Sequence, residues 1–187
     1  RKHRVVRGSR FRLADHDPRD TGGVDLREDA AVLLQETVDR MSRLQEKLYA
    51  QDRWSVLLIF QALDAAGKDS VIKHVMSGLN PQSCEVHAFK APSAEELDHD
   101  FLWRTMAVLP RRGHIGIFNR SHYEEVLVVR VHRALLASQQ LPPSLVTGDI
   151  WKERYEDINN VERYLARQGV LIRKFFLHVS REEQKKR

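Results

Sequence analysis

The feature that most restricts the fold of this 187-residue chain is an unbroken apolar run that leads into a glycine–lysine turn. Residues 55–60 read Ser-Val-Leu-Leu-Ile-Phe, a strand-length run without polar alternation. Such a run is typical of a strand that is buried on both faces, in a parallel sheet covered by helices. The turn that follows contains Gly67 and Lys68 and precedes a helical pattern. The order strand, turn, helix therefore predicts an α/β fold with an anion site at the turn.

Helix-length and strand-length segments alternate along the rest of the chain. Apolar spacing of three and four residues predicts helices over 30–50, 68–79, 93–109, 121–133 and 151–168. Further strands are predicted at 85–89 and 115–118, and a last apolar strand is formed by residues 170–172 and 175–179. Strands separated by helices imply right-handed βαβ crossovers. The predicted fold is three-layer α/β, with a mostly parallel central sheet and an N-terminal helical extension.

Two details of the helices are also predicted. Ser93 with Glu96, and Ser180 with Glu183, have the spacing of capping boxes at helix starts. The first helix carries apolar residues on one face, which we expect to pack on the core, with a dimer surface as the alternative. These residues are Leu34, Val38, Met41, Leu44 and Leu48.

The basic character of the chain is concentrated at its start. The net charge is +5, and six positive residues precede the first acid: Arg1, Lys2, Arg4, Arg7, Arg10 and Arg12. The remainder is nearly neutral. We predict a basic, irregular N-terminal arm over 1–29 and a single domain over 30–187. The arm either binds a polyanion or is a solvated extension.

Composition excludes several classes of protein. No apolar run approaches the roughly 18 residues of a membrane helix, and the first residues, Arg-Lys-His-Arg, are unlike a secretory signal. The only cysteine, Cys84, excludes an internal disulfide and a cysteine-based zinc site. We therefore expect a cytoplasmic globular protein with no membrane partner.

The residues of the turn suit a phosphate group. Small residues let backbone N–H groups face an anion, the new helix adds its positive end, and Lys68 adds an ammonium. Ala62 and Asp69 depart from the template G-x-x-x-x-G-K-[ST]. The candidate phosphate-binding residues are Ala65, Ala66, Gly67, Lys68, Asp69 and Ser70.

Asp64 lies inside the same turn. A carboxylate there repels phosphate unless a cation lies between them, and Mg²⁺ is the usual cation. A turn-forming or helix-capping role is the alternative. Because the turn lacks the Ser/Thr that normally binds the metal, we favour Asp64 as a Mg²⁺ ligand.

A second cluster of polar residues follows the strand at 115–118. Asn119 stands where nucleotide-binding folds usually carry an acid, so Glu124 or Glu125 is expected to supply that charge. Arg120 has the planar fork that suits a transferring phosphoryl group. Arg130 follows on the next segment.

With both segments in view, the chain resembles the polyphosphate kinase 2 family. The matching strings include DAAGKD (64–69), FKAPSAEELDHDFLWR (89–104), GIFNRSHYEEVLVVRVH (116–132) and WKERYEDINNVERYL (151–165). The form NRSHYEE is similar to the class III subgroup, which phosphorylates nucleoside mono- and diphosphates. The resemblance implies a P-loop kinase fold and Mg²⁺-dependent phosphoryl transfer from inorganic polyphosphate to AMP or ADP, giving ADP or ATP.

The resemblance also implies roles for particular residues. Asp64 and Lys68 would be essential to turnover. The residues themselves suggest Arg120 as a third catalytic group and Glu125 as a second metal ligand. Lys90 and Arg130 would contact phosphate, Asn119 would occupy the Walker B position, and Glu124 would help to admit AMP. A lid segment is expected to begin near Arg181 and to be cut short, and the protein is expected to be a homo-oligomer without a specific nucleic-acid partner.

Two other functions fit parts of the sequence. An ATP-dependent nucleotide kinase of the same fold would use the same turn. A polyanion- or nucleic-acid-binding module would use the basic arm, although the chain lacks an aromatic-plus-basic surface motif and its body is nearly neutral.

Overall fold

A computed structural model of the chain describes residues 3–6, 8–25, 29–63 and 65–186. Within these ranges the centre is a parallel sheet of strands β1 (Ser55–Ala62), β2 (Cys84–Ala88), β3 (Ile115–Asn119) and β4 (Val170–Leu177). Their order is β2-β3-β1-β4, so the apolar run of β1 lies inside the sheet. The predicted α/β fold with a mostly parallel sheet is confirmed.

The helices alternate with these strands along the chain. They are α1 (Ala30–Gln51), α2 (Lys68–Met76), α3 (Ala94–Leu97), α4 (Trp103–Met106), α5 (Ala134–Ala137), α6 (Ile150–Arg167) and α7 (Arg181–Lys186), with a π-helical turn at Glu125–Val129. None of the helices in the described ranges combines the length and the hydropathy needed to cross a bilayer.

The two central strands, β1 and β3, are covered on both faces, where successive side chains of a strand point to opposite sides. On one face, Leu57 and Phe118 pack with Leu165 of α6. On the other, Phe60 and Ile117 pack with Ile72 of α2. Burying a side chain of this size contributes about 1.5–3 kcal/mol. The two clusters make β1 and β3 the rigid centre from which the following turns project.

The apolar stripe of α1 is only partly buried. Val38 is in the core, but Leu34 and Leu44 are 42% and 54% exposed. The most buried position of the helix is the polar Gln45, whose side chain donates to the Asn80 carbonyl at 2.9 Å and accepts from the Asn80 N–H at 2.8 Å. Because Leu34 and Leu44 stay exposed, the expectation that the apolar stripe of α1 packs on the core is wrong for these residues. Gln45 attaches the helix to the rest of the fold by hydrogen bonds instead.

The helix predicted over 93–109 is divided in two. Its start is as expected, since Ser93 and Glu96 form a reciprocal capping box. The helix ends after Leu97, and α4 begins only at Trp103. Between them the Asp100 carboxylate accepts from the Leu102 N–H at 2.9 Å, a local bond that competes with continuation of the helix.

Candidate functional site

The turn between β1 and α2 has the backbone of an anion-binding loop. Ala65 and Gly67 have φ values of +60° and +82°, so the chain passes twice through the left-handed region. Gly67 caps α2, a position where glycine takes this conformation without a Cβ clash. The free N–H groups of the first turn of α2 therefore open toward the space above the sheet. Asp64, predicted to be a catalytic and metal-binding residue, lies outside the described residues.

Lys68 is the first residue of α2 and points into this turn. Its side chain is largely buried, with 9% of the residue exposed, and its Nζ donates to the Ala62 carbonyl at 3.4 Å. This long bond uses one of the three protons of the ammonium group. The ammonium is thus held at the end of β1 with donors left for an anion.

A cavity of about 1330 Å³ opens over the turn. Ligand pockets commonly enclose roughly 300–1,000 Å³, so this space suits more than one small substrate. It lies at the carboxyl ends of the parallel strands, where open α/β sheets bind ligands. The predicted residues that line it are Ala65, Ala66, Gly67, Lys68, Asp69, Ser70, Lys90, Asn119 and Arg120.

Asn119 links the end of β3 to the start of α2. Its side-chain Nδ2 donates to the Asp69 carboxylate, and both residues line the cavity. Asp69 stands in the position where the P-loop template has a Ser or Thr. Two oxygen-bearing side chains therefore meet at the mouth of the turn.

Arg120 follows Asn119 in an unusual conformation. Its φ is +66°, and its N–H donates to the Phe60 carbonyl at 3.0 Å. The guanidinium lies 3.4 Å from the Glu124 carboxylate, which also accepts from the Gln61 side chain at 3.1 Å. Left-handed backbone in a non-glycine residue is costly and is concentrated at functional sites. Arg120 lines the cavity in this conformation.

Lys90 enters the cavity from the segment after β2. Its carbonyl accepts from Arg104 at 2.8 Å, which fixes the backbone, and its side chain is exposed. Lys68, Lys90 and Arg120 thus bring three positive charges to one cavity from three different strand ends.

Three predicted site residues do not line the cavity: Glu124, which contacts Arg120, and Glu125 and Arg130. Glu125, expected to bind metal, is buried and pairs with Arg154 of α6 at 3.2 Å and with Gln139 at 2.7 Å. Burial raises the pKa of Glu125, while the bond from Gln139 and the charge of Arg154 lower it. Arg130, expected to contact phosphate, donates to the Tyr155 hydroxyl at 2.8 Å. The π-helical turn that begins at Glu125 points both side chains toward α6, away from the cavity.

Part of the lining was missed by sequence reasoning. The N-terminal arm contributes His3, His16, Asp17, Pro18 and Asp20, and the end of β4 contributes His178. The rule that ligands bind at the carboxyl ends of strands points to His178. No pattern in the sequence indicates that the arm reaches the cavity, because its described residues have no periodic apolar face.

A partly buried polar cluster holds the segment that follows Arg120. The Tyr123 hydroxyl donates to Glu162 of α6 at 2.6 Å, and Lys174 of β4 reaches both groups, at 2.9 Å and 2.6 Å. Burial and the bond to Glu162 raise the pKa of Tyr123. Burial lowers the pKa of the neighbouring His122 from 6.5 to about 4, although Glu162, 4.0 Å away, opposes this. His122 is therefore neutral at pH 7.

We expect the stability of the protein to fall as the pH is lowered from about 6.5 to about 4. In this window the unfolded chain binds a proton on His122 that the folded chain does not bind, so acid favours unfolding. The full shift corresponds to about 3 kcal/mol. Denaturant titrations at pH 7 and pH 4.5 measure it. His122→Gln should reduce the pH dependence and the exposed control His74→Gln should not; equal dependence in both variants contradicts the assignment.

Comparison with known proteins agrees with this arrangement. The family model described as polyphosphate kinase 2 matches residues 25–187. A crystal structure of polyphosphate kinase 2 from Arthrobacter aurescens TC1 superposes with a TM-score of 0.86 at 40% identity, covering 96% of this chain and 62% of that one. The P-loop kinase-like fold predicted for this chain is confirmed.

Two curated relatives are similar over most of the chain. An ADP-polyphosphate phosphotransferase of Rhodopseudomonas palustris is 58% identical over 156 residues, which are 83% of this chain and 54% of that protein. An AMP/ADP-polyphosphate phosphotransferase of Meiothermus ruber is 43% identical over an alignment of 188 residues, which covers 100% of this chain and 66% of that protein. The chain spans between about half and two thirds of the length of these relatives.

Proposed function

Since the chain belongs to the polyphosphate kinase 2 family, we propose that it transfers a phosphoryl group from inorganic polyphosphate to AMP or ADP, giving ADP or ATP. The observation that carries this proposal is the convergence of Lys68, Lys90 and Arg120 on one large cavity beside the P-loop turn. Both the donor and the acceptor are polyanions, and both have to reach the same place.

The residues of the cavity suit an in-line transfer between two phosphate chains. Phosphoryl transfer requires little covalent chemistry from the protein, so positioning and electrostatic stabilisation supply most of the rate. Lys68 and the N–H groups of the turn hold one phosphate chain at the end of β1. Arg120, fixed by its backbone and by Glu124, aims its planar fork at the oxygens of the group in transit.

The oxygen ligands of the site fit Mg²⁺. Asp69 and Asn119 offer hard oxygen atoms at the mouth of the turn, and Asp64 adds a second carboxylate in the sequence of the same turn. We propose Asp64 and Asp69 as the residues that hold the ion, which neutralises charge on the phosphates when it is bound. Glu125 is not part of this proposal, because Arg154 and Gln139 hold its carboxylate.

We expect Asp64→Asn to raise the Mg²⁺ concentration needed for half-maximal activity, while nucleotide binding without metal changes little. The amide keeps the shape of the side chain but has no charge to attract the cation. Rates measured over a Mg²⁺ titration test this. The matched control is Asp157→Asn on the exposed side of α6, and the same Mg²⁺ dependence in all three proteins would contradict the metal role.

Glu124 carries our proposal for the range of nucleotide acceptors. The two relatives are named for ADP alone and for AMP with ADP. Glu124 lies between Gln61 and Arg120, so its charge acts directly on the arginine that faces the cavity. We propose that it helps to admit AMP, and rates with AMP and with ADP as acceptor, in the protein and in Glu124→Asn, test the assignment.

The decisive experiment for the function is a pair of reactions. The protein with Mg²⁺, ADP and polyphosphate should produce ATP; the protein with Mg²⁺, AMP and ATP, but no polyphosphate, tests the ATP-dependent kinase alternative. ATP formation in the first reaction alone supports the proposal. Turnover in the second reaction alone would replace it by the kinase that uses ATP as donor.

Two further expectations are also proposals. We propose that the protein is a homo-oligomer, because α1 exposes a group of large apolar side chains: Val32, Leu33, Leu34, Leu44 and Tyr49. The mass of the particle in solution, measured by light scattering, tests this. We also propose that the protein acts in the cytoplasm, as expected from its sequence.

A further inference from the structure

The basic half of the N-terminal arm lies beside the P-loop cavity, and the proposed function leaves it without a role. Its first twelve residues carry six positive charges and no acid. The family model begins only at residue 25, so this half lies outside the part that the model describes.

The described part of the arm forms a second cavity that adjoins the first. His3 and His16 line both the P-loop cavity and a smaller cavity of about 200 Å³. Arg4, Arg10 and Arg12 also line the smaller cavity. One acid, Asp15, lies among them. Three arginines therefore line a path along the arm next to the P-loop cavity, whose own wall includes Asp17 and Asp20 of the arm.

Local hydrogen bonds, a ring contact and one ion pair hold the conformation of the arm. The Phe11 ring stacks on His16 at 4.7 Å, and the Asp17 and Asp20 carboxylates accept from the backbone N–H groups of Arg19 and Gly22, each at 2.9 Å. An ion pair of 3.2 Å joins Arg19 to Glu182 of α7. Both its side chains are 78% exposed, so it contributes at most about 1 kcal/mol.

These bonds leave the basic side chains available. Arg4, Arg10 and Arg12 are exposed, and none of them forms an ion pair within the described ranges. Guanidinium groups bind phosphate through two parallel hydrogen bonds, and unpaired ones lose no protein partner when they do so.

We propose that this half of the arm is a second binding segment for the polyphosphate chain, in which Arg4, Arg10 and Arg12 bind phosphates beyond those held in the P-loop cavity. The inference rests on the proposed function, which requires one end of a long, linear polyanion in that cavity. The remaining phosphates must leave the cavity by some route, and His3 and His16 line both this cavity and the one that holds the arginines.

The same arginines would attract a nucleic acid, but the geometry favours polyphosphate. Single-stranded nucleic acid gains affinity by stacking its bases on exposed aromatic rings. Phe11 is the aromatic ring of the smaller cavity, and His16 already covers one of its faces. The path also begins in a cavity whose loop is built for phosphate.

The test compares long and short polyphosphate. In the variant Arg4→Ala/Arg10→Ala/Arg12→Ala, we expect the dissociation constant for a chain of many phosphates to rise roughly tenfold, since each exposed charge pair contributes modestly. The constant for tripolyphosphate should change less than about twofold, because tripolyphosphate fits inside the P-loop cavity. The effect should shrink with added salt.

The matched control, Arg40→Ala/Arg43→Ala/Lys47→Ala, removes the same charge from the exposed side of α1 and should change neither dissociation constant.

Binding is measured by calorimetry without nucleotide, so that it does not depend on turnover. Equal losses for long and short chains, or no loss for either, would overturn the inference. So would a single-stranded RNA of equal charge that competes as well as polyphosphate. If the unaltered protein binds long chains through the arm and yet forms no ATP from ADP, the proposed function fails while the binding segment stands.

Discussion

Lys68→Met should lower the rate of phosphoryl transfer by on the order of a hundredfold or more while the protein stays folded. The fold holds the ammonium of Lys68 at the P-loop turn, 3.4 Å from the last carbonyl of β1. Methionine fills the same space without a charge. The P-loop turn should therefore keep its shape, but it no longer stabilises the transferring group electrostatically. Initial rates with saturating polyphosphate and ADP measure the loss.

The matched control for this variant lies on the same helix. Lys73→Met removes a charge from the exposed side of α2, outside the residues that line the cavity, and should leave the rate unchanged. Thermal unfolding of both variants establishes that they are folded. A folded Lys68→Met protein with a nearly normal rate would rule out the P-loop turn as the phosphate site.

Arg120→Gly should separate activity from stability. The glycine removes the guanidinium from the cavity, and we expect the rate to fall by on the order of a hundredfold. It also relieves the left-handed backbone at φ +66°, a gain of about 1–2 kcal/mol that offsets the loss of the ion pair with Glu124. The free energy of unfolding should therefore change by no more than about 1 kcal/mol.

Gln140 offers the control for the backbone effect. It has a φ of +51°, is exposed, and does not line the cavity, so Gln140→Gly should stabilise the protein by about 1 kcal/mol at an unchanged rate. Denaturant titrations and initial rates on both variants make the comparison. A large loss of stability in Arg120→Gly, in proportion to its loss of rate, would show that Arg120 acts through the fold rather than on the substrate.

Much of the architecture follows from local pattern. The apolar runs place β1, β3 and β4 correctly; β1 and β3 are covered on both faces, as such runs predict, whereas β4 at the edge of the sheet is largely exposed. The capping box at Ser93 marks the start of α3. The pattern failed where local polar bonds compete with helix formation, as at Asp100, and where a buried Gln45 takes the place of an apolar contact.

The candidate site, too, is predicted from the sequence only in part. The order strand, Gly-Lys turn, helix indicates the phosphate loop, and parallel strands bring Lys68, Lys90 and Arg120 to one edge of the sheet. The spacing of Glu124 and Glu125 could not show which of the two faces that edge. The π-helical turn decides it, because it directs Glu125 to Arg154 and leaves Glu124 beside Arg120.

The sequence by itself determined the elements whose cause is local: the buried strand, the glycine that starts α2, and the concentration of positive charge in the first twelve residues. Only the tertiary structure decided which of the charges meet. The arm, far from the P-loop turn in sequence, shares a cavity with it, and the polar cluster of Tyr123, Glu162 and Lys174 joins three distant elements. Such contacts depend on how the chain returns to the sheet, and no short-range pattern of residues encodes that path.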